Sequence, residues 1–172
     1  MVAVFFVTSN IILTNHHVVA GSSFVEIKMH NNMEAFGKVM AFDLYRDLAL
    51  VKINAHGKPV RFYTKNSLPA GVTLEAIGHP EDLPFTITRG VFSAYRSIPS
   101  HHLPSRDIDV RYIQTDAAIN RGNSGGPLFY KNKIVGVNSW KLGGPIIDNL
   151  AFAVHYSEVI KFLKQYGIKY RK

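Results

Sequence analysis

Apolar runs in this chain are short, rich in β-branched residues, and broken by turn residues at close intervals. Such a pattern points to antiparallel strand meanders closed into small barrels. Val2–Val7 and Ile11–Val19 flank the turn signal Thr8-Ser9-Asn10 and read as a hairpin. Phe24–Met29 alternates as a third strand; Asn31-Asn32 then turns the chain into Ala35–Phe42 and Leu48–Ile53. Polar, turn-rich stretches at 55–59 and 66–71 follow, the second marking a boundary between two halves. Beyond it come Thr73–Gly78, Phe85–Tyr95, Val110–Thr115, Leu128–Tyr130, Ile134–Ser139 and Leu150–Val154, with a long loop at Ser97–Asp109 and a tight hairpin at Asn132. Helical spacing occurs only at the end. Ser157 is a suitable N-cap, and Val159, Ile160, Leu163 and Tyr166 share a face before Gly167. The expectation is an all-β unit over residues 1–172: barrels over about 1–68 and 69–156, then a helix over 157–168.

Composition narrows the function classes. Apolar content of 47% with 19% charge argues against disorder. No apolar run approaches the ~20 residues of a membrane span. The run at Val2–Val7 is short for a signal peptide and has no basic residues before it, which favours a cytoplasmic protein; a mature fragment of an exported one would look the same. There are no cysteines, so disulfides, thiolate metal sites and a cysteine nucleophile are excluded together. The formal charge is +8, but the lysines and arginines are scattered, as on a solvated surface, and nucleic acid is not expected as a partner. His79, His101, His102 and His155 lack companions at metal-ligand spacing, so neither metal nor cofactor is expected.

The chemistry concentrates in Gln114–Leu128, where Ser124 sits among Gly122, Gly125 and Gly126. Glycine admits positive φ and close approach of another chain, so a serine there can be exposed beside converging backbone N–H groups. Acyl transfer needs that combination: a nucleophile, and donors for the oxyanion it creates. Gly122-x-Ser124-x-Gly126 also matches the nucleophile elbow, and Asp148 and His155 follow in the order that fold uses. The elbow requires a helix directly after the serine. Pro127 and the β-favouring Leu128-Phe129-Tyr130 read instead as turn then strand. Upstream, Thr14-Asn15-His16-His17-Val18-Val19 and Arg46-Asp47-Leu48-Ala49-Leu50 supply a base and a carboxylate in the order His, Asp, Ser.

Those three blocks resemble the protease domain of the HtrA/Deg family of trypsin-like serine proteases. Weaker similarity at Ala76–Pro80, Thr88–Ser93 and Ala151–Val154 extends the resemblance over nearly the whole chain. It implies two six-stranded antiparallel β-barrels with the site in the cleft between them. It implies catalytic His17, Asp47 and Ser124, with an oxyanion hole at Gly122, Asn123 and Ser124. His17 rather than His16 is selected because the family places its base directly before Val-Val; on a strand, adjacent histidines would face opposite ways. Asp47 would orient His17, with Asp43 the rival carboxylate, and Asp116 reads as structural. Ser139 and Trp140 resemble the strand on which such enzymes lay substrate. A specificity pocket is expected among Ala118, Ile119, Asn120, Arg121, Ser139, Trp140, Lys141, Leu150 and Phe152. Those stretches hold no acidic residue, so a small or medium apolar residue is the expected preference. The implied function is a serine endopeptidase acting on unfolded or extended protein or peptide. The rival is a catalytically silent peptide-binding module on the same fold. The segment that helps the family trimerise is not among these residues, nor is a PDZ domain. A monomer or weak oligomer, with no membrane partner, is therefore expected.

Overall fold

The computed structural model describes residues 3–79, 85–99, 108–120, 122–144 and 147–172. The first half holds β1 (Phe5–Phe6), β2 (Ile11–Thr14), α1 (His16–Val19), β3 (Phe24–Lys28), β4 (Glu34–Asp43) and β5 (Leu48–Ile53). The second holds β6 (Thr73–Gly78), β7 (Thr86–Pro99), β8 (Asp109–Thr115), β9 (Pro127–Tyr130), β10 (Lys133–Gly144) and β11 (Ile147–His155), followed by α2 (Tyr156–Gln165). Among the described residues the first half is a five-stranded sheet in the order β1-β2-β5-β4-β3. The second is a closed six-stranded barrel in the order β10-β11-β8-β7-β6-β9. All named pairings are antiparallel. No helix among the described residues is long and apolar enough to cross a membrane.

Strand periodicity sorts the core. Side chains alternate between faces, and β5 is buried on both. Leu48 and Leu50 join a cluster shared with the second half, including Leu74, Tyr112, Leu128 and Val137. Ala49, Val51 and Ile53 point the other way, onto Ile12, Val19 and Ile27. Burial on both faces accounts for the unbroken apolar run of Leu48–Val51, and the shared cluster fixes the two halves against each other.

Three local expectations change. The histidine pair does not lie on a strand but opens the short helix α1. Val18-Val19 favours a strand locally, yet bonds from 30 residues away win: His16 N–H donates to the Asp47 carbonyl (3.1 Å) and His17 N–H to Asp47 Oδ1 (2.9 Å). The long loop is shorter than expected, because Ile98 and Pro99 pair with Val110 and Asp109; His101, His102 and Pro104 lie outside the described residues. The C-terminal helix starts earlier than expected. Its cap is His155, whose Nδ1 accepts from Ser157 N–H at 3.0 Å. At the other end Gly167 has φ +67°, and Ile168 N–H reaches back to the Leu163 carbonyl, as in a Schellman cap.

His155 is fully buried, and it lies against the rings of Tyr95 and Tyr156. Burial, with the charges of Arg111 and Lys161 adding to it, lowers its pKa to about 3. The unfolded chain, with an ordinary histidine near 6.5, therefore binds the proton that the folded chain refuses. Stability is full above the unfolded value and falls as pH drops from about 6.5 toward 3. Between pH 7 and 5 this group alone should cost about 2 kcal/mol. Urea unfolding of wild type and His155→Asn at both pH values checks it. Asparagine can still cap α2, and its pH-dependent loss should be smaller by that amount. Equal losses would remove His155 as the cause.

Candidate active site

The turn after β4 places the carboxylate. Asp43 accepts from the N–H groups of Tyr45 (2.9 Å) and Arg46 (3.0 Å), closing a local Asx-type turn. Arg46 then pairs with Asp43 and, through Nε, with Glu158 of α2 at 2.9 Å. Arg46 thus leaves Asp47 to other partners, and Asp43 is committed to the turn. Asp47 has φ +53°, a conformation uncommon outside glycine and held here by its surroundings. Its side chain is 1% exposed. Oδ2 accepts from His17 Nδ1 at 2.7 Å and from Ser139 Oγ at 3.1 Å, while Oδ1 takes the His17 N–H. Asn15 Nδ2 holds the Asp47 carbonyl at 2.8 Å. Helical turning sends His16 elsewhere, onto the ring of Phe42, with centroids 4.8 Å apart. The preference for His17 therefore has a different geometric basis from the one the strand reading supplied.

Ser124 enters the same group through Ser139. Its hydroxyl donates to the Ser139 carbonyl at 3.2 Å. Ser124 is followed by β9, not a helix, so the turn-then-strand reading holds and the elbow does not. Around Ser124 the backbone bonds alternate. Asn123 N–H donates to the Asn120 carbonyl (3.0 Å) and Gly125 N–H to the Asn138 carbonyl (2.9 Å). Among the described residues, the N–H groups of Gly122 and Ser124 have no protein acceptor. Gly122 and Gly125 have φ of +94° and +81°, which keeps the turn open to glycine there.

Close approach locks the turn to its neighbours. A Cβ on Gly78 would lie 2.6 Å from Asn123 Cα, and one on Gly126 would lie 2.2 Å from the Ile77 carbonyl. His79 N–H donates to the Gly122 carbonyl at 3.1 Å. Asp116 plays the expected structural part, Oδ1 accepting from Val91 N–H at 2.6 Å.

The expected specificity residues divide. Ala118, Asn120 and Lys141 are exposed, with Lys141 Nζ bonded to Asn120 Oδ1 at 2.9 Å. Trp140 stacks on Phe152 with centroids 4.1 Å apart, as their pairing in the β10–β11 register requires. Phe152 and Ile119 belong to the core, and Leu150 is half-buried. Arg121 lies outside the described residues. Sequence reasoning missed Asn15 and the Ser139 hydroxyl as partners of Asp47, and Gly78 as a neighbour of the serine turn. Asn15 was adjacent to the histidines and visible; the Ser139 contact spans 92 residues and had no local signal.

A family model described as a trypsin-like peptidase domain matches residues 3–137. The chain is 37% identical over 153 residues to the serine protease Do-like HtrA of Bacillus subtilis, covering 86% of this chain and 34% of that protein. It is 44% identical over 131 residues to the putative serine protease HhoB of Synechocystis, covering 74% and 31%. It thus spans about a third of the length of these curated relatives. The crystal structure of the serine endoprotease from Yersinia pestis superposes with a TM-score of 0.75 at 28% identity, covering 91% of this chain and 53% of that one. His17, Asp47 and Ser124 all fall inside the matched residues, and with a match of that extent the chain belongs to the family of trypsin-like peptidase domains.

Proposed function

We propose that this chain is a serine endopeptidase working through His17, Asp47 and Ser124. The observation that carries the proposal is the buried Asp47 carboxylate, which accepts from both Nδ1 and the backbone N–H of His17. With Nδ1 committed, the tautomer leaves Nε2 as the base for Ser124. The 3.2 Å bond from the Ser124 hydroxyl to the Ser139 carbonyl is long for O–H···O. In the reaction the Ser124 hydroxyl gives up that bond for one to His17.

The steps follow. His17 Nε2 takes the hydroxyl proton as Ser124 Oγ attacks a peptide carbonyl carbon. The N–H groups of Gly122 and Ser124 hold the oxyanion. His17 returns the proton to the leaving amine, and water releases the acyl group by the reverse sequence. Substrate lies extended along Ser139 and Trp140, adding a strand to β10. The absence of acid from the described pocket residues, with Leu150 beside the Trp140–Phe152 stack, supports a small or medium apolar residue before the cut bond.

A fluorophosphonate probe tests the reading. The protein should label once, and mass mapping should place the adduct on Ser124. Labelling elsewhere, or none, overturns it. One observation favours a second reading, a peptide-binding module that does not cut: the hydroxyl's present bond to Ser139 rather than to the imidazole. Incubation with unfolded casein separates the two, since fragments require the enzyme and binding without fragments requires the module.

A further inference from the structure

β10 has 12 residues and β9 has 4, and β9 covers β10 only as far as Val137. The barrel is closed, so the uncovered end of β10 is not the place of a missing strand. A bulge interrupts its register with β11 between Asn138 and Trp140. Asn138 gives its N–H to the Gly126 carbonyl (2.9 Å), and its own carbonyl takes the Gly125 N–H (2.9 Å). The Ser139 carbonyl faces the same side, since the Ser124 hydroxyl donates to it. Trp140 lies opposite Phe152, and alternation then returns the N–H and C=O of Lys141 to the side of Ser124.

Register then names the substrate residue that meets Lys141. With substrate laid antiparallel on β10 and its reacting carbonyl at Ser124, the residue before the cut bond lies opposite Ser139. The second residue before the cut lies opposite Trp140, and the third opposite Lys141. Directly opposed side chains in an antiparallel pair share a face with Cβ atoms about 5 Å apart, so opposite charges there attract and like charges repel. The Lys141 ammonium is available for that contact. It is exposed, and Asn120 Oδ1 holds its Nζ at 2.9 Å, a neutral partner that leaves the charge uncompensated. Among the described residues no carboxylate pairs with it. The Asn120 carbonyl takes the Asn123 N–H at 3.0 Å, so the ammonium is anchored to the wall that carries the serine turn.

We propose that Lys141 is a specificity-determining residue, favouring substrates with an acidic side chain at the third residue before the cut bond. The apolar residue next to the cut fills the pocket beside the Trp140–Phe152 stack, and the acid two positions earlier meets the ammonium at the rim. This deepens the protease reading and rests on it for the register. The formal charge of +8 also draws acidic substrates, but that field acts at every position along them. Lys141 acts at one.

The test compares internally quenched peptides of about ten residues on the full chain. Valine is the only large apolar residue, and the position two before it holds glutamate, glutamine or lysine. Mass mapping locates the cut, from which positions are counted. The value of kcat/KM should be about threefold higher for glutamate than for glutamine, and about tenfold higher than for lysine. Moving the glutamate to the second or fourth residue before the cut should lose most of that gain, and about 1 M salt should erase it. Within each variant the glutamine peptide is the reference. Lys141→Glu should invert the order. Asn120→Asp keeps the lysine but pairs it, and should bring glutamate and lysine within about twofold. A glutamate-to-lysine ratio under about twofold in wild type, an equal gain at another position, or an unchanged order in Lys141→Glu overturns the proposal. An Asn120→Asp ratio equal to that of wild type, or a ratio that salt leaves unchanged, overturns it too. Ser124→Ala with labelled forms of the same peptides reads binding without cutting, by fluorescence anisotropy. If wild type cuts none of the peptides, the protease reading fails. The proposal then stands on the same order of affinities in Ser124→Ala, and falls if that order, or any binding up to about 1 mM, is absent.

Discussion

Asp47→Asn lowers kcat about 10⁴-fold on an unfolded protein substrate and leaves KM little changed. Asp47 faces three donors: His17 N–H on Oδ1, and His17 Nδ1 with Ser139 Oγ on Oδ2. An amide has one acceptor oxygen and an NH₂ group. With the oxygen kept on the His17 backbone N–H, the NH₂ would meet two donors. Relief comes from flipping the imidazole tautomer, which turns an N–H rather than a lone pair toward Ser124. The size is orientational rather than structural, so the variant should melt within a few degrees of wild type. Ser124→Ala sets the floor, about 10⁶ below wild type, and His17→Ala added to it should do no further harm because the three groups act as one unit. Nitrogen NMR of the His17 ring reads the tautomer independently of turnover. A kcat loss under about tenfold for Asp47→Asn, with the tautomer unchanged, would sink the triad assignment.

What the sequence made legible was local chemistry. The serine turn could be read because glycine, serine and Pro127 carry their conformational demands in a few adjacent residues. Most strands were visible as short β-branched apolar runs between turn residues, and α2 from its apolar stripe. What stayed hidden was set by distant partners. α1 opposes the strand preference of Val18-Val19 because Asp47 captures two successive N–H groups. His155 caps α2 in place of Ser157, since burial beneath Tyr95 and Tyr156 positions its ring where a hydroxyl was expected. β7 runs through Gly90; a Cβ there would lie 2.1 Å from Ala117 N, so the glycine admits a neighbouring backbone within a continuous strand, a contact that nothing local in the sequence announces. The link from Ser139 to Asp47 joins two halves of the chain and has no signature in either.

Gly78→Ala should reduce kcat by about 10² to 10³ while leaving the His17–Asp47 pair untouched. A Cβ at position 78 would sit 2.1 Å from Asn123 Oδ1 and 2.6 Å from Asn123 Cα. The first contact is with a side-chain atom, but the second is with backbone, which no rotamer change relieves. Asn123 has little freedom to retreat. It is 1% exposed, its Nδ2 is bonded to the Ala118 carbonyl, its N–H to Asn120, and its carbonyl to Gly126 N–H. Pushing it therefore moves the peptide units on both sides, the one after it carrying the Ser124 N–H and the one before it the carbonyl of Gly122, by a few tenths of an ångström or more. Oxyanion stabilisation depends on donor placement at that scale. Gly21→Ala is the matched control. Gly21 has φ +78° with nothing near its missing Cβ, so alanine there strains the backbone by about 1 kcal/mol and touches no part of the site. The pair separates placement from stability: Gly21→Ala should melt lower with kcat unchanged, and Gly78→Ala should lose kcat in excess of any loss in melting temperature. Fluorophosphonate labelling rates should follow kcat in both. Retention of kcat within about threefold in a folded Gly78→Ala protein would show that the serine turn does not need Asn123 held where Gly78 holds it, and would detach the oxyanion assignment from this geometry.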